Sequence, residues 1–239
     1  MEVEIILPVY NEEAKLERGV NALRQFLKEN VAPPWRITIA NNGSTDNTLN
    51  LAQTLCQRYP EVGLLHLDQK GRGRALRRAI SQSNADVVVY MDIDLSTDLG
   101  ALPSLLQAVA EGYDIATGSR LLSGAQVKRS LKREVLSRGY NFMVRALLQP
   151  GVKDAQCGFK AFRRIAVAPL LSQVHNQSWF FDTELLVIAR RRSCKIKEIP
   201  VTWVEGTDSR VRILRTVTGN LRAMLDLRLR LWRGKGDGS

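Results

Sequence analysis

The sequence predicts an α/β fold: a mostly parallel, Rossmann-like sheet flanked by helices and closed by a basic amphipathic C-terminal helix. Three observations predict it. In the first half, β-branched runs alternate repeatedly with apolar residues at helical spacing, the pattern of successive β–α units. Polar segments follow the expected strands, namely Pro8-Val9-Tyr10-Asn11-Glu12, Asn41-Asn42-Gly43-Ser44 and Asp92-Ile93-Asp94. Sheets of this kind bind ligands at the carboxyl ends of their strands. Finally, 239 residues with 44% hydrophobic and 25% charged content suit one globular domain with an ample core.

Val3 to Val9 is expected as the first strand, followed by a helix over 12–29 carrying Leu16, Val20, Leu23, Phe26 and Leu27. Arg36 to Ala40 forms a second strand, closed by the Asn-Asn-Gly-Ser turn. A helix then runs through Leu49, Ala52, Leu55, Cys56 and Tyr59. Val62 to Leu67 is a third strand, and Gly71-Arg72-Gly73 opens a helix through Ala75, Leu76, Ala79 and Ile80. Asp86 to Met91 is a fourth, buried strand. Beyond it the pattern loosens. Leu99 to Ala110 reads as a helix, Tyr113 to Gly118 as a strand, Ser119 to Ser130 as a mobile basic loop, and Leu131 to Leu148 as a basic amphipathic helix. Cys157 to Arg163 and Ile196 to Val204 read as strands, with a helix between about Thr183 and Arg192. The chain closes with a helix near Val211 to Trp232. A single catalytic domain over 1–210 followed by an amphipathic helix and tail over 211–239 is the expected organisation.

Composition narrows the classes. No run of 18 or more apolar residues occurs, and Glu2-Val3-Glu4-Ile5-Ile6-Leu7 lacks the basic start and apolar core of a signal peptide. Cys56, Cys157 and Cys194 are odd in number and lack metal spacing, so reduced thiols in a cytoplasmic protein are expected. The net charge of +11 is concentrated. From Arg120 to Arg145 there are seven basic residues against Glu134 alone, and from Glu205 to Lys235 eight against three. Such a field implies a polyanionic partner: nucleic acid, an anionic membrane surface or a phosphorylated substrate. No helix-turn-helix, zinc-knuckle or aromatic RNA-platform signature is present, which disfavours nucleic acid.

Asp92 and Asp94 bring two carboxylates together just past a strand. Either this is an acidic turn, or the pair holds Mg²⁺ or Mn²⁺, which bind through one or two carboxylates plus substrate phosphate. Gly71-x-Gly73 at a helix start can cradle phosphate, although the full dinucleotide and P-loop patterns are missing. In the last helix, Leu214, Val217, Leu221, Leu225, Leu229 and Trp232 form an apolar stripe interleaved with arginines. Such a stripe packs on its own domain or a partner subunit, or lies in a membrane interface.

Four ordered motifs, Pro8-Val9-Tyr10-Asn11-Glu12, Asn41-Asn42-Gly43-Ser44-Thr45-Asp46, Lys70-Gly71-Arg72-Gly73-x-Ala75 and Met91-Asp92-Ile93-Asp94-Leu95-Ser96, resemble the nucleotide-sugar half of glycosyltransferase family 2, whose fold is GT-A. Downstream, Asp154-Ala155-Gln156-Cys157-Gly158-Phe159-Lys160, Trp179-Phe180-Phe181-Asp182-Thr183-Glu184 and Glu198-Ile199-Pro200-Val201-Thr202-Trp203 resemble its polyprenyl-phosphate branch, nearest to dolichyl-phosphate glucose synthases.

The resemblance implies that Pro8, Tyr10, Glu12, Asn41 and Asp68 line the nucleoside pocket, with Lys70, Gly71 and Ile93 beside the nucleotide-sugar. Asp92 and Asp94 would hold the metal against the diphosphate, Asp94 also serving catalysis. Arg120, Arg133, Ser137 and Arg210 would grip the acceptor phosphate. Asp154 matches the residue usually assigned as catalytic base. Yet a phosphate monoester, with its second pKa near about 6, is already largely dianionic at neutral pH, so Asp154 acts either as base or as an orienting group. Asn41 departs from the family's usual Asp and accepts a hydrogen bond without the charge.

The expected activity is therefore inverting, metal-dependent transfer of a hexose from a nucleoside diphosphate sugar, UDP-glucose preferred, to polyprenyl or dolichyl phosphate at the cytoplasmic membrane face. GDP-mannose is the alternative donor, other acceptors stay open, and so does a homo-oligomeric state. A non-catalytic nucleotide-sugar binder and a nucleic-acid binder are the rivals from other classes.

Overall fold

The computed structural model describes residues 1–205 and 213–233; side chains at 132–133, 213–218 and 233 fall outside that description. Three β–α units open the chain: β1 (Val3–Val9), α1 (Leu16–Asn30), β2 (Trp35–Asn42), α2 (Thr48–Arg58), β3 (Val62–Leu67) and α3 (Arg72–Gln82). β4 (Val87–Tyr90) leads through a 3-10 turn at Leu99–Ala101 into α4 (Leu102–Ala110) and β5 (Ile115–Ser119). Then come β6 (Gln126–Lys128), α5 (Leu131–Leu148), β7 (Lys160–Arg163), the short α6 (Arg164–Val167) and a 3-10 turn at Ala168–Ser172. α7 (Phe181–Arg191), β8 (Ile196–Pro200), β9 (Thr202–Val204) and α8 (Ile213–Arg233) complete the order.

Seven strands form the main sheet in the order β3-β2-β1-β4-β7-β5-β8. Alternation along each strand divides its side chains between two cores. Val3, Ile5, Leu7 and Val9 of β1 join Val87 and Val89 of β4 on the face covered by α1, α2 and α4. Ile6, Val88, Tyr90 and Phe162 point to the opposite face, where α3, α5, α7 and α8 pack. One polar residue breaks the inner pattern. Glu4 is buried, and it accepts hydrogen bonds from Arg36, Thr38 and Ser83, which satisfy its charge.

β7 gives the sheet its functional edge. It runs antiparallel to both neighbours, with Tyr90 opposite Lys160 and Thr117 opposite Lys160. The residues just before Lys160 therefore lie beside those just after Tyr90 and Thr117. Strand direction thus brings the Asp154–Phe159 segment to the same edge as the carboxyl ends of the parallel strands.

The structure departs from sequence expectation in three places. The stretch 119–130, expected as a mobile loop, contains β6, which pairs with β9 in a second sheet. The single strand expected over 196–204 divides at Val201, which is buried, so that β8 pairs with β5 and β9 with β6. The helix expected from residue 12 starts at Leu16, because Asn11 takes a positive φ of 55° and the Glu12 carbonyl accepts from Lys15 and Leu16.

α8 buries residues outside the expected stripe and leaves much of the stripe exposed. Met224 and Leu227 are buried in the core against which α5 and α7 also pack, while Leu225, Leu229 and Trp232 stay exposed. Leu214 and Val217 lie outside the described side chains.

Candidate active site

Loops at the carboxyl edge are tied to one another before any ligand is considered. The Asn11 backbone N–H donates to Ser44 Oγ at 3.0 Å, and the Asn11 side-chain oxygen accepts from the Thr45 N–H at 2.8 Å. Glu12 N–H donates to Thr48 Oγ1 at 2.8 Å. Asn42 spans three segments: its amide donates to the Val9 carbonyl at 2.6 Å and accepts from the Gly71 N–H at 3.0 Å. The Lys70 ammonium sits 3.5 Å from the Tyr10 ring centroid, a cation–π contact that brings two of the expected nucleotide residues together. Pro8 and Glu12 are half-buried beside them.

Asn41 is held within the edge by its neighbours. It is fully buried; its amide nitrogen meets His66 Nδ1 at 2.9 Å and its oxygen accepts from the Ser44 N–H at 3.3 Å. His66 in turn faces Asp68, its Nε2 3.3 Å from Asp68 Oδ1. The exposed members of this chain are His66 and Asp68.

The glycines expected to cradle phosphate serve close packing at the start of α3. A Cβ on Gly73 would meet Phe181 Cβ at 2.7 Å and the Asn176 carbonyl at 2.8 Å. Arg72, between the two glycines, is the residue that reaches into the site. Its guanidinium bridges two carboxylates, donating to Asp182 Oδ2 at 2.7 Å and to Asp92 Oδ1 at 3.1 Å. The rings of Tyr90 and Trp179 flank it at 5.3 and 5.2 Å. Asp182 also accepts from the Tyr90 hydroxyl and lies 3.5 Å from Lys160 Nζ, which donates to the Cys157 carbonyl. Burial raises the Asp182 carboxyl to about 6 against the pull of the Arg72 guanidinium, and burial lowers the Lys160 ammonium to about 8.

Asp92 and Asp94 lie beyond the end of β4, on a turn where Leu95 takes a φ of 53°. Strand alternation therefore does not set their directions. Asp92 faces Arg72 and Gly158, where any Cβ on the glycine would run into the carboxylate. Asp94 is exposed, accepts from the Ser96 N–H at 3.0 Å, and lines a shallow hollow with Ile93, Lys15, Arg18 and Gly19. Among the described residues no group of three or more His, Cys, Asp or Glu is arranged for a metal. Carboxylate oxygens are the donors a hard divalent cation takes, its shell completed by diphosphate oxygens and water, although Asp92 and Asp94 face different neighbours in this structure.

On the other side, Arg120 and Asp154 form a closed pair. Asp154 Oδ2 accepts from the Arg120 backbone N–H at 3.1 Å and from Nε at 2.7 Å, while Oδ1 accepts from Nη2 at 3.0 Å. Asn141 and the Gln156 N–H add donors at 3.4 and 3.2 Å. Burial alone would raise the Asp154 carboxyl, but the Arg120 guanidinium overcomes it and holds the group at about 2. Trp203 stands over Arg120 at 5.7 Å, and Thr97 bridges to Trp203, so the segment after Asp94 is clamped by β9. Ser137 Oγ is buried without a partner in the structure. Arg133 lies one helical turn before Ser137, with its side chain outside the description. Arg210 lies outside the described residues altogether.

Sequence reasoning did not single out Arg72, Asp182, Lys160, Asn141 or Asn42. All but Asn141 stood inside motifs that were recognised, but the Arg72–Asp182 pair spans 110 residues, a separation no local pattern reports.

Known proteins resemble this chain in sequence and in fold. The sequence model of "Glycosyl transferase family 2" matches residues 4–171. Glycosyltransferase AglD of Haloferax volcanii is 38% identical over 222 residues, covering 92% of this chain, which spans only 36% of AglD's length. A dolichyl-phosphate beta-glucosyltransferase of Trichomonas vaginalis, ALG5D, is 32% identical over 245 residues, covering 96% of this chain and 75% of its own. A crystal structure of Mycobacterium tuberculosis glucosyl-3-phosphoglycerate synthase, in complex with Mn²⁺, UDP and glucosyl-3-phosphoglycerate, superposes with a TM-score of 0.67 at 18% identity. It covers 96% of this chain and 79% of the synthase. That likeness identifies the GT-A fold.

Proposed function

The chain belongs to glycosyltransferase family 2, and we propose that it is an inverting, metal-dependent enzyme that moves glucose from UDP-glucose to a dolichyl-type polyprenyl phosphate. One observation carries the reading. The carboxyl edge holds two arginine–carboxylate pairs side by side, Arg72 with Asp92 and Arg120 with Asp154. The first borders the Tyr10–Lys70 side and the second lies under the basic helix α5, so two anionic substrates have separate addresses. Relatives whose names specify dolichyl-phosphate glucosylation supply the donor sugar and the acceptor class.

On this reading Tyr10, Lys70 and the 68–71 loop border the nucleoside, with Pro8, Glu12 and the His66 ring at its edge. Asp92 and Asp94 hold the cation, Mn²⁺ or Mg²⁺, and Ile93, buried between them, fixes their turn. When bound, the cation neutralises charge developing on the departing diphosphate. Arg120, Ser137, Arg133 and Arg210 take the acceptor phosphate, whose oxygen attacks the anomeric carbon from the face opposite the leaving group. Asp154 is a positioning residue in this account. Both its oxygens are occupied by donors and its carboxyl is held at about 2, so it is a weak proton acceptor. It fixes the guanidinium that meets the acceptor.

The basic helices give the enzyme a lipid-facing side. Leu131, Val135 and Phe142 stand exposed on α5 with Arg138 between them, and Leu225, Leu229 and Trp232 on α8 with Arg222 and Arg228 nearby. Apolar residues set among arginines suit the headgroup layer of an anionic membrane, where the acceptor resides. Among the described residues no helix is long and apolar enough to cross a membrane. Incubating the protein with Mn²⁺, radiolabelled UDP-glucose and polyprenyl phosphate tests the proposal. Label in the organic phase supports it, and hydrolysis alone or no reaction removes the acceptor assignment.

A further inference from the structure

Arg72 is almost fully buried, and its Nε has no hydrogen-bond partner in the structure. One terminal nitrogen is anchored on buried Asp182 and the other rests on Asp92, which is 45% exposed. Around it three cations, Arg72, Arg120 and Lys160, face three carboxylates, Asp92, Asp154 and Asp182. Each of these carboxylates therefore has a cation against it, while Asp94 is exposed and shares a hollow with Lys15 and Arg18. Uncompensated charge in such a place is costly.

We infer that Arg72 occupies Asp92 in place of the divalent cation, so that cation and diphosphate bind strongly only together. This rests on the metal and donor assignment above and adds a role for a residue that assignment does not contain. A cation arriving alone meets a guanidinium on one of its two carboxylates and leaves the cluster positive. A diphosphate arriving alone leaves it negative. Arriving as a pair they offset most of each other's charge, and the guanidinium, still anchored on Asp182, is free to turn from Asp92 Oδ1 toward a diphosphate oxygen. The unpartnered Nε–H gives it a further donor for that contact. Trp179, exposed, stands 5.2 Å from the guanidinium.

Mn²⁺ retained by the protein in equilibrium dialysis, which counts neither free Mn²⁺ nor the Mn²⁺–UDP complex in solution as bound, tests this without turnover. Wild-type protein is titrated with Mn²⁺ alone and with saturating UDP, and the same is done for Arg72→Gln. The wild type should gain at least about 100-fold in Mn²⁺ affinity from UDP. Arg72→Gln should bind Mn²⁺ alone about 10-fold more tightly, and its gain from UDP should shrink by a similar factor. Arg72→Lys, which keeps the charge, should bind Mn²⁺ alone as weakly as the wild type. The double variant Arg72→Met/Asp182→Asn removes the opposing buried charge as well, and should behave as Arg72→Gln if the single variant misfolds. Unchanged Mn²⁺ affinity in folded variants, with the UDP effect intact, overturns the role of Arg72 and leaves the glycosyltransferase assignment standing. Failure of wild-type protein to bind Mn²⁺ even with UDP overturns both.

Discussion

Gly158 shows how one atom can guard a reactive carboxylate. The antiparallel register of β7 sets it opposite Asp92, and a Cβ there has no space. Gly158→Ala should leave the protein folded, with a melting temperature within a few degrees of wild type, while UDP–Mn²⁺ stabilisation falls because Asp92 is displaced. Thermal shift with and without ligand measures both. Asp154 makes a prediction about pH. Its folded value of about 2 lies below the ordinary carboxylate value of about 3.9. A depressed folded value means stability that is complete above pH ~4 and is lost as pH falls toward about 2. Asp154→Asn should abolish that part of the acid destabilisation, seen as a flatter dependence of melting temperature on pH between ~5 and ~2.5. In catalysis, the same variant should raise the acceptor KM while the acid limb of the kcat profile, set by the acceptor phosphate near ~6, stays in place. Disappearance of that limb would assign Asp154 as the base instead. The roles of Asp92 and Asp154 as candidates were legible because their motifs are local. That Asp154 is sealed by Arg120 and Asn141 was not, because sequence says nothing of which donors surround a carboxylate.

Helices and strands were read from periodicity, and periodicity has clear limits. β1 and β3 have the expected ends because apolar alternation and turn residues bound them sharply. The direction of β7 has no local signature, since alternation reads the same both ways, yet this direction delivers the Asp154–Phe159 segment to the edge. The division of 196–204 into β8 and β9 was equally hidden: it arises where buried Val201 turns the chain from one sheet to the other. On α8, the spacing of Leu225, Leu229 and Trp232 was visible, but the choice between core and surface needed the partner. Met224 and Leu227 take the core. Replacing Leu225, Leu229 and Trp232 together by Glu should therefore leave the melting temperature nearly unchanged while abolishing co-flotation with anionic vesicles. Wild-type flotation should itself weaken as salt screens the arginines. Equal flotation of the variant and wild type would show that this face does not meet lipid.

At the scale of the whole molecule, one sheet separates two chemistries. The face covered by α1, α2 and α4 holds one apolar core with Asp94 exposed beside α1, whereas Arg72, Lys160 and Asp182 are buried on the face under α3, α5 and α7. The charge of +11 implies a polyanionic partner, and its concentration on α5 and α8 is the feature on which the proposed acceptor and membrane contacts rest. A thermal-shift panel with Mn²⁺ should show UDP stabilising the protein by more than GDP, CDP or ADP; greater stabilisation by GDP would transfer the donor to GDP-mannose. The central claim joins these sides: a nucleotide-sugar bound through Asp92 and Asp94 is attacked by a lipid phosphate held at Arg120. Its most direct measurement is transfer of labelled glucose from UDP-glucose to polyprenyl phosphate by wild type, Asp92→Asn and Arg120→Gln, with Mn²⁺ or with chelator. The account predicts lipid-linked glucose from the wild type with Mn²⁺ and at least about 100-fold less in both variants and with chelator. Undiminished transfer by either folded variant, or by the wild type without a divalent cation, would contradict it.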